Sequence, residues 1–185
     1  VRRKLNLRNN ISRFIRQVLL SILLVISCHR SDAVPDGNEY RIKAMFLLNF
    51  IKYVEWPIEN NKPVIRIGIV GESEMFDALT ILAAQRSADG QKVEIKQADD
   101  SNASGFQVIF ISNTDNNKVD QRIRKHSGKG VLVISEDDRC KTRNSGINLF
   151  NQDNKIRFEI NMSSVKNNGI KISSKLMELA SAVHN

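Results

Sequence analysis

Three histidines, two cysteines and two clusters of carboxylates are the side chains of this 185-residue chain best suited to chemistry. His29, His126 and His184 share no spacing that would converge on a metal, and a zinc site needs several deprotonated ligands aimed at one point. Asp99-Asp100 and Glu136-Asp137-Asp138 are residue types that move protons or hold a cation. Both lie in stretches that read as loops, where solvated acids are the expectation. The chain has no Gly-x-Ser-x-Gly elbow, no Gly-x-Gly-x-x-Gly and no Walker loop. Gly68-Ile69-Val70-Gly71-Glu72-Ser73 ends a strand and opens a helix, so it offers backbone N–H groups to an anion only as a tight turn would. The expectation is therefore a protein with no catalytic residue, no metal and no cofactor: not an enzyme.

Two segments carry side chains suited to binding instead. Glu39 to Trp56 holds Phe46, Phe50, Tyr53 and Trp56, four of the chain's eleven aromatics, with Asn49 and Lys52 between them. Ala44, Leu47, Leu48 and Ile51 make this segment apolar all round, more than one buried stripe requires, so surplus surface for a partner is expected. In Arg157-Phe158-Glu159-Ile160-Asn161, strand alternation puts the three polar side chains on one face. That face suits a structural ion pair or a polar partner site.

The elements that must position these residues follow from periodicity. Residues 39–56 read as a helix stopped by Pro57, which disfavours helical geometry in the residue before it. Residues 64–71, 92–97, 107–112 and 130–135 read as strands, the last two apolar throughout as in a buried parallel sheet. Ser73 is placed to cap a helix over 74–85, and 117–126 reads as a polar helix. Residues 146–150 and 155–161 form a hairpin pattern, 163–167 a short helix, and Ser173 caps a last helix reaching Val183 with Leu176, Leu179, Ala180 and Val183 as its apolar face. Alternating strands and helices define an α/β class: a three-layer doubly wound, mainly parallel sheet of order 2-1-3-4, with a C-terminal antiparallel hairpin and flanking helices. The carboxyl ends of its strands, including Gly71-Glu72-Ser73 and Ser112-Asn113, would form any small-ligand crevice, the second function open to such a domain.

Charge separates the leader from this domain. The chain carries a net +8, but residues 1–33 hold seven basic side chains against Asp32 alone, a net +6. The remainder, with 21 basic and 19 acidic residues, is close to balance, which argues against nucleic acid as a partner. The apolar run Val18–Ser27 behind the arginines reads as an export signal. Ten helical residues rise only about 15 Å, too little to cross a hydrocarbon core of about 30 Å. Val25-Ile26-Ser27-Cys28 is a lipobox-like sequence, making Cys28 a lipidation candidate; Ser31-Asp32-Ala33 offers an ordinary cleavage site, and both remain open. The organisation expected is a leader over 1–33, a short linker over 34–38 and one domain over 39–185.

Three segments carry a resemblance. Tyr40 to Pro57, with Lys43-Ala44, Phe46-Leu47, Asn49-Phe50 and the Trp56-Pro57 stop, resembles the opening helix of the YfiR-like family of bacterial periplasmic proteins. Ile65–Gly71 is similar to its first strand, and Arg157–Met162 with Gly169–Ala180 to its C-terminal motifs. The resemblance implies a periplasmic, typically dimeric repressor. It implies binding to the periplasmic region of an inner-membrane diguanylate cyclase, which restrains cyclic-di-GMP and biofilm. Some members carry a disulfide in the loop before the C-terminal hairpin. Cys140 sits there, but no second cysteine follows it. The expected contact set is the exposed part of Phe46, Asn49, Phe50, Tyr53 and Trp56, with Arg157, Glu159, Asn161, Ser173 and Ser174. Aromatics and arginine are the usual energetic anchors of such a surface.

Overall fold

The computed structural model describes residues 37–71, 73–86, 92–99, 104–112, 118–128, 130–137 and 144–185. The leader with Cys28, the crevice residues Glu72 and Asn113, Asp100, Asp138 and Cys140 lie outside them.

The apolar runs become the centre of a seven-stranded sheet. β2 (Val64–Val70), β4 (Val108–Ile111) and β5 (Leu132–Glu136) lie side by side and parallel. Every residue of β4 and β5 is buried, as expected of strands covered on both faces. β3 (Lys92–Ala98) pairs parallel to the outer side of β2, while β6 (Ile147–Gln152) follows β5 in parallel. β6 turns into the antiparallel β7 (Lys155–Asn161) through Asp153 and Asn154, both at positive φ (53° and 58°), the pattern of a two-residue type I′ hairpin. β9 (Ala182–His184) joins β7 in parallel, giving the order β3-β2-β4-β5-β6-β7-β9. The class is the expected one: α/β, with a mostly parallel central sheet and an antiparallel hairpin.

Strand alternation sends side chains to two separate cores. Ile67, Ile69, Phe110, Ile134, Leu149 and Phe158 share one with α1 (Gly37–Phe50) and α2 (Met75–Arg86). Ile109, Ile111 and Val133 face the other way and share a smaller one with Val119 and Ile123 of α3 (Val119–His126). Gly68 sits where this packing is tightest, since a Cβ there would come within 2.7 Å of the Ile109 side chain. Short caps then set the C-terminal turns. Asn161 Oδ1 accepts from Ser164 N (3.0 Å) at the start of α4 (Met162–Asn167), and Ser173 Oγ accepts from Leu176 N (3.4 Å) at the start of α5 (Ser174–Leu179).

Two boundaries differ from the sequence expectation. The first helix ends at Phe50 rather than Trp56, with a 3₁₀ turn over Ile51–Tyr53 and then the extended pair β1 (Val54–Glu55). Pro57 does hold the chain extended. The extension reaches back because β8 (Lys171–Ile172) supplies an antiparallel partner, Val54 opposite Ile172. The last helix stops at Leu179, not Val183, and Ala182–His184 becomes the edge strand β9. Its expected apolar face is accordingly divided: Leu176 is buried and Ala180 packs half-buried on the core, while Leu179 is 63 % and Val183 40 % exposed.

Candidate functional site

At the carboxyl end of the parallel sheet, where open α/β domains usually bind ligands, the described residues bring several of the protein's own charges together. Helical spacing puts Glu39 and Lys43 on one side of α1, one turn apart. Lys43 Nζ lies 2.6 Å from Glu39 Oε1 and 2.9 Å from Glu136 Oε2 at the end of β5. Tyr40 Oη and Ser112 Oγ donate to the other Glu136 oxygen at 3.4 and 3.1 Å. Asn151 Nδ2 donates to Glu39 Oε2 at 3.1 Å, carrying the cluster across to β6. Lys43 and Glu136 are each only 6 % exposed, and Asp137 1 %, so the expectation of solvated loop acids at 136–137 is corrected. β5 runs two residues further than its apolar stretch, and the lysine supplies the charge that lets Glu136 stay inside.

The electrostatics favour the charged forms of Lys43 and Glu39. Burial works against the Lys43 ammonium, but the charges and hydrogen bonds of Glu136 and Glu39 outweigh it and raise its pKa. Burial likewise opposes the Glu39 carboxylate, and Lys43 with Asn151 overcomes it, so Glu39 titrates below its ordinary value. Tyr40 is pushed up by burial and by the Glu136 charge. A lysine held this firmly protonated is neither a general base nor a Schiff-base nucleophile at neutral pH. The arrangement instead pins the first half of α1 to β5 and β6. Sequence reasoning missed it, although Glu39-x-x-x-Lys43 inside an otherwise apolar helix was a visible sign.

The aromatic residues of the first segment divide. Phe50 is 1 % exposed, with its ring 4.8 Å from Phe158. It leaves no surface for a partner and is corrected to a core residue. Phe46, 5.9 Å from both rings, is half-buried beside them. Trp56 packs on the core, and its Nε1 donates to the Gln107 carbonyl (3.3 Å). Gln107 in turn donates to Asn60 (2.9 Å) and accepts from Arg66 N (2.8 Å), while Asn60 donates to the Gly130 carbonyl. Trp56 thus locks the amino ends of the strands. Ala44, Leu47, Leu48 and Ile51 are all buried, so the expected apolar surplus is consumed by the core. What α1 and its turn leave in solvent is the line Arg41, Met45, Asn49 and Lys52, with half-buried Tyr53 beside Lys175 of α5 (5.8 Å from ammonium to ring).

The C-terminal group lies elsewhere. Phe158 and Ile160 point toward α1, so Arg157, Glu159 and Asn161 occupy the opposite face of the sheet. Arg157 is exposed. Glu159 pairs with His184 Nε2 (2.8 Å) and accepts from Asn148 Nδ2 (3.4 Å), the structural ion pair among the alternatives for this strand. Asn161 and Ser173 are helix caps, and Ser174 is exposed beside the latter. The ten expected contact residues therefore do not form one surface. Replacing Ser173 by alanine is expected to cost about 1 kcal/mol, read as a lower denaturation midpoint, because the cap at the start of α5 is lost. Among the described residues no three His, Cys, Asp or Glu side chains come together as metal ligands, and no helix is long and apolar enough to cross a membrane.

The described residues thus form an α/β domain with a buried ion cluster at the end of β5 and a mixed polar helix face outside. A family model described as YfiR/HmsC-like matches residues 40–181, and the chain belongs to that family, whose members are periplasmic regulators of diguanylate cyclases rather than catalysts.

Proposed function

We propose that this protein is an exported periplasmic regulator, acting as a homodimer, that binds and represses a membrane diguanylate cyclase and so restrains cyclic-di-GMP. The observation that carries this reading is the family match over 40–181, which spans both the opening helix and the C-terminal motifs. Exposed Asn49 and Ser174 with half-buried Tyr53 on one face, and exposed Arg157 on the other, are the contact residues we favour.

Deleting the gene is expected to raise cellular cyclic-di-GMP, and the protein is expected to copurify with the periplasmic segment of the cyclase it restrains. Unchanged cyclic-di-GMP in the deletion strain would overturn the reading. Tyr53→Ala is expected to reproduce much of the rise while the protein stays folded with only a modestly lower melting temperature, because the ring is half-buried, packing on the edge of the core and reaching Lys175. Measuring cyclic-di-GMP beside an immunoblot separates this outcome from simple loss of protein.

A further inference from the structure

We propose that two copies of this chain dock through the groove between α1 and α2, with Arg41 of each copy reaching Glu74 and Asp77 of the other. This inference rests on the homodimer reading above and adds the surface on which the copies meet.

The groove encloses about 470 Å³. Tyr40 and Arg41 form the α1 wall, and Glu74, Asp77 and Ile81 stand on the α2 side over a floor that includes Leu82. Ile81 is 59 % exposed, a large apolar side chain in solvent one turn along α2 from Asp77. Arg41, Glu74 and Asp77 are all exposed, and none forms an ion pair with another described residue. Three uncommitted charges, opposite in sign on the two walls, therefore flank one apolar centre.

That distribution is complementary to itself. Both helices begin at the carboxyl end of the sheet: α1 because Lys43 meets Glu136 there, and α2 because it follows β2. Arg41 and Asp77, both early in their helices, thus face the groove near the same level. A two-fold axis running along the groove exchanges its walls, so the cationic wall of one copy covers the acidic wall of the other. An isologous contact requires this reciprocity, in which residue i meets j and j meets i. The same operation brings the two Ile81 side chains onto the facing apolar floors, where desolvation strengthens the flanking pairs.

Sedimentation of the protein purified as its host makes it tests the surface. The wild type is expected to dimerise, and Ile81→Glu and Arg41→Glu are each expected to raise the dimer dissociation constant about tenfold or more, from burial of unpaired or like charge. Both sites are exposed, so unchanged circular dichroism and melting temperature are expected in these variants. Combining Arg41→Glu with Glu74→Lys and Asp77→Lys reverses every charge and is expected to restore dimerisation; a structural defect at these sites would not be rescued this way. Variants that dimerise as tightly as the wild type would overturn the surface and leave the homodimer reading intact. A wild type that stays monomeric at its highest soluble concentration would overturn both. Loss of cyclase binding in Ile81→Glu with dimerisation unchanged would assign the groove to the membrane partner and overturn the proposal.

Discussion

Lys43→Met is expected to cost about 3–5 kcal/mol, because it takes away the buried ammonium that meets both Glu136 and Glu39. For a domain of this size that is roughly a 10 °C fall in melting temperature by calorimetry or circular dichroism. Converting the partners as well, in Lys43→Met with Glu136→Leu and Glu39→Gln, is expected to recover most of the loss, since a buried ion pair replaced by apolar volume is often close to neutral. A triple variant no more stable than the single one would show that the hydrogen bonds from Tyr40 and Ser112, not the charge balance, hold α1 in place.

The same cluster fixes a pH dependence. Glu39 has a folded pKa below its unfolded one, so it contributes stability that is present above the ordinary carboxylate range and is lost as pH falls through the lowered value. Lys43 has a raised folded pKa, so its contribution is full below the ordinary lysine range and is lost as pH climbs through the raised value. The stability gap between wild type and Lys43→Met is expected to be widest between these limits. It should narrow in acid, as Glu39 becomes neutral.

Phe50→Ala carries the second large effect, about 3–5 kcal/mol, as the removal of a buried ring leaves a cavity that the surrounding core fills only in part. Phe50 is the last residue of α1 and packs on Phe158 of β7, so the cavity falls where the first helix meets the C-terminal hairpin. Repression is expected to fall with the amount of folded protein, in contrast to Tyr53→Ala. Equal protein levels in the two mutants, with repression lost in both, would place Phe50 in the contact surface after all.

These residues also show what was legible in the sequence. The strands over 64–70, 108–111 and 132–136 were plain because a covered parallel sheet demands unbroken apolar runs. Ser73 was readable as a cap for the same local reason, and its Oγ accepts from Met75 N at 3.1 Å. Failures came where a distant partner decided. Ala182-Val183-His184 continues the helical spacing of Leu176 and Leu179, yet pairing with β7 makes it a strand, a tertiary override of local preference. Glu136 looked like the start of an acidic loop because Asp137 and Asp138 follow it directly, and its buried lysine partner is remote in sequence. Lys43 meets it from 93 residues away. The two halves of the expected contact set were sorted correctly within β7, by alternation, but no local pattern could tell that its polar side faces away from α1.

The β1–β8 pair and β9 give this fold an order of events. Val54 cannot find Ile172, nor can β7 gain its outer neighbour, until almost the last residue of the chain has arrived. The contact between Glu39 and Asn151 spans 112 residues in the same way. Long-range closures of this kind are slow to form, since loop entropy must be overcome before they stabilise anything. Closure of the domain is accordingly expected to come late in folding, gated by the two short strands β8 and β9 rather than by the apolar sheet centre.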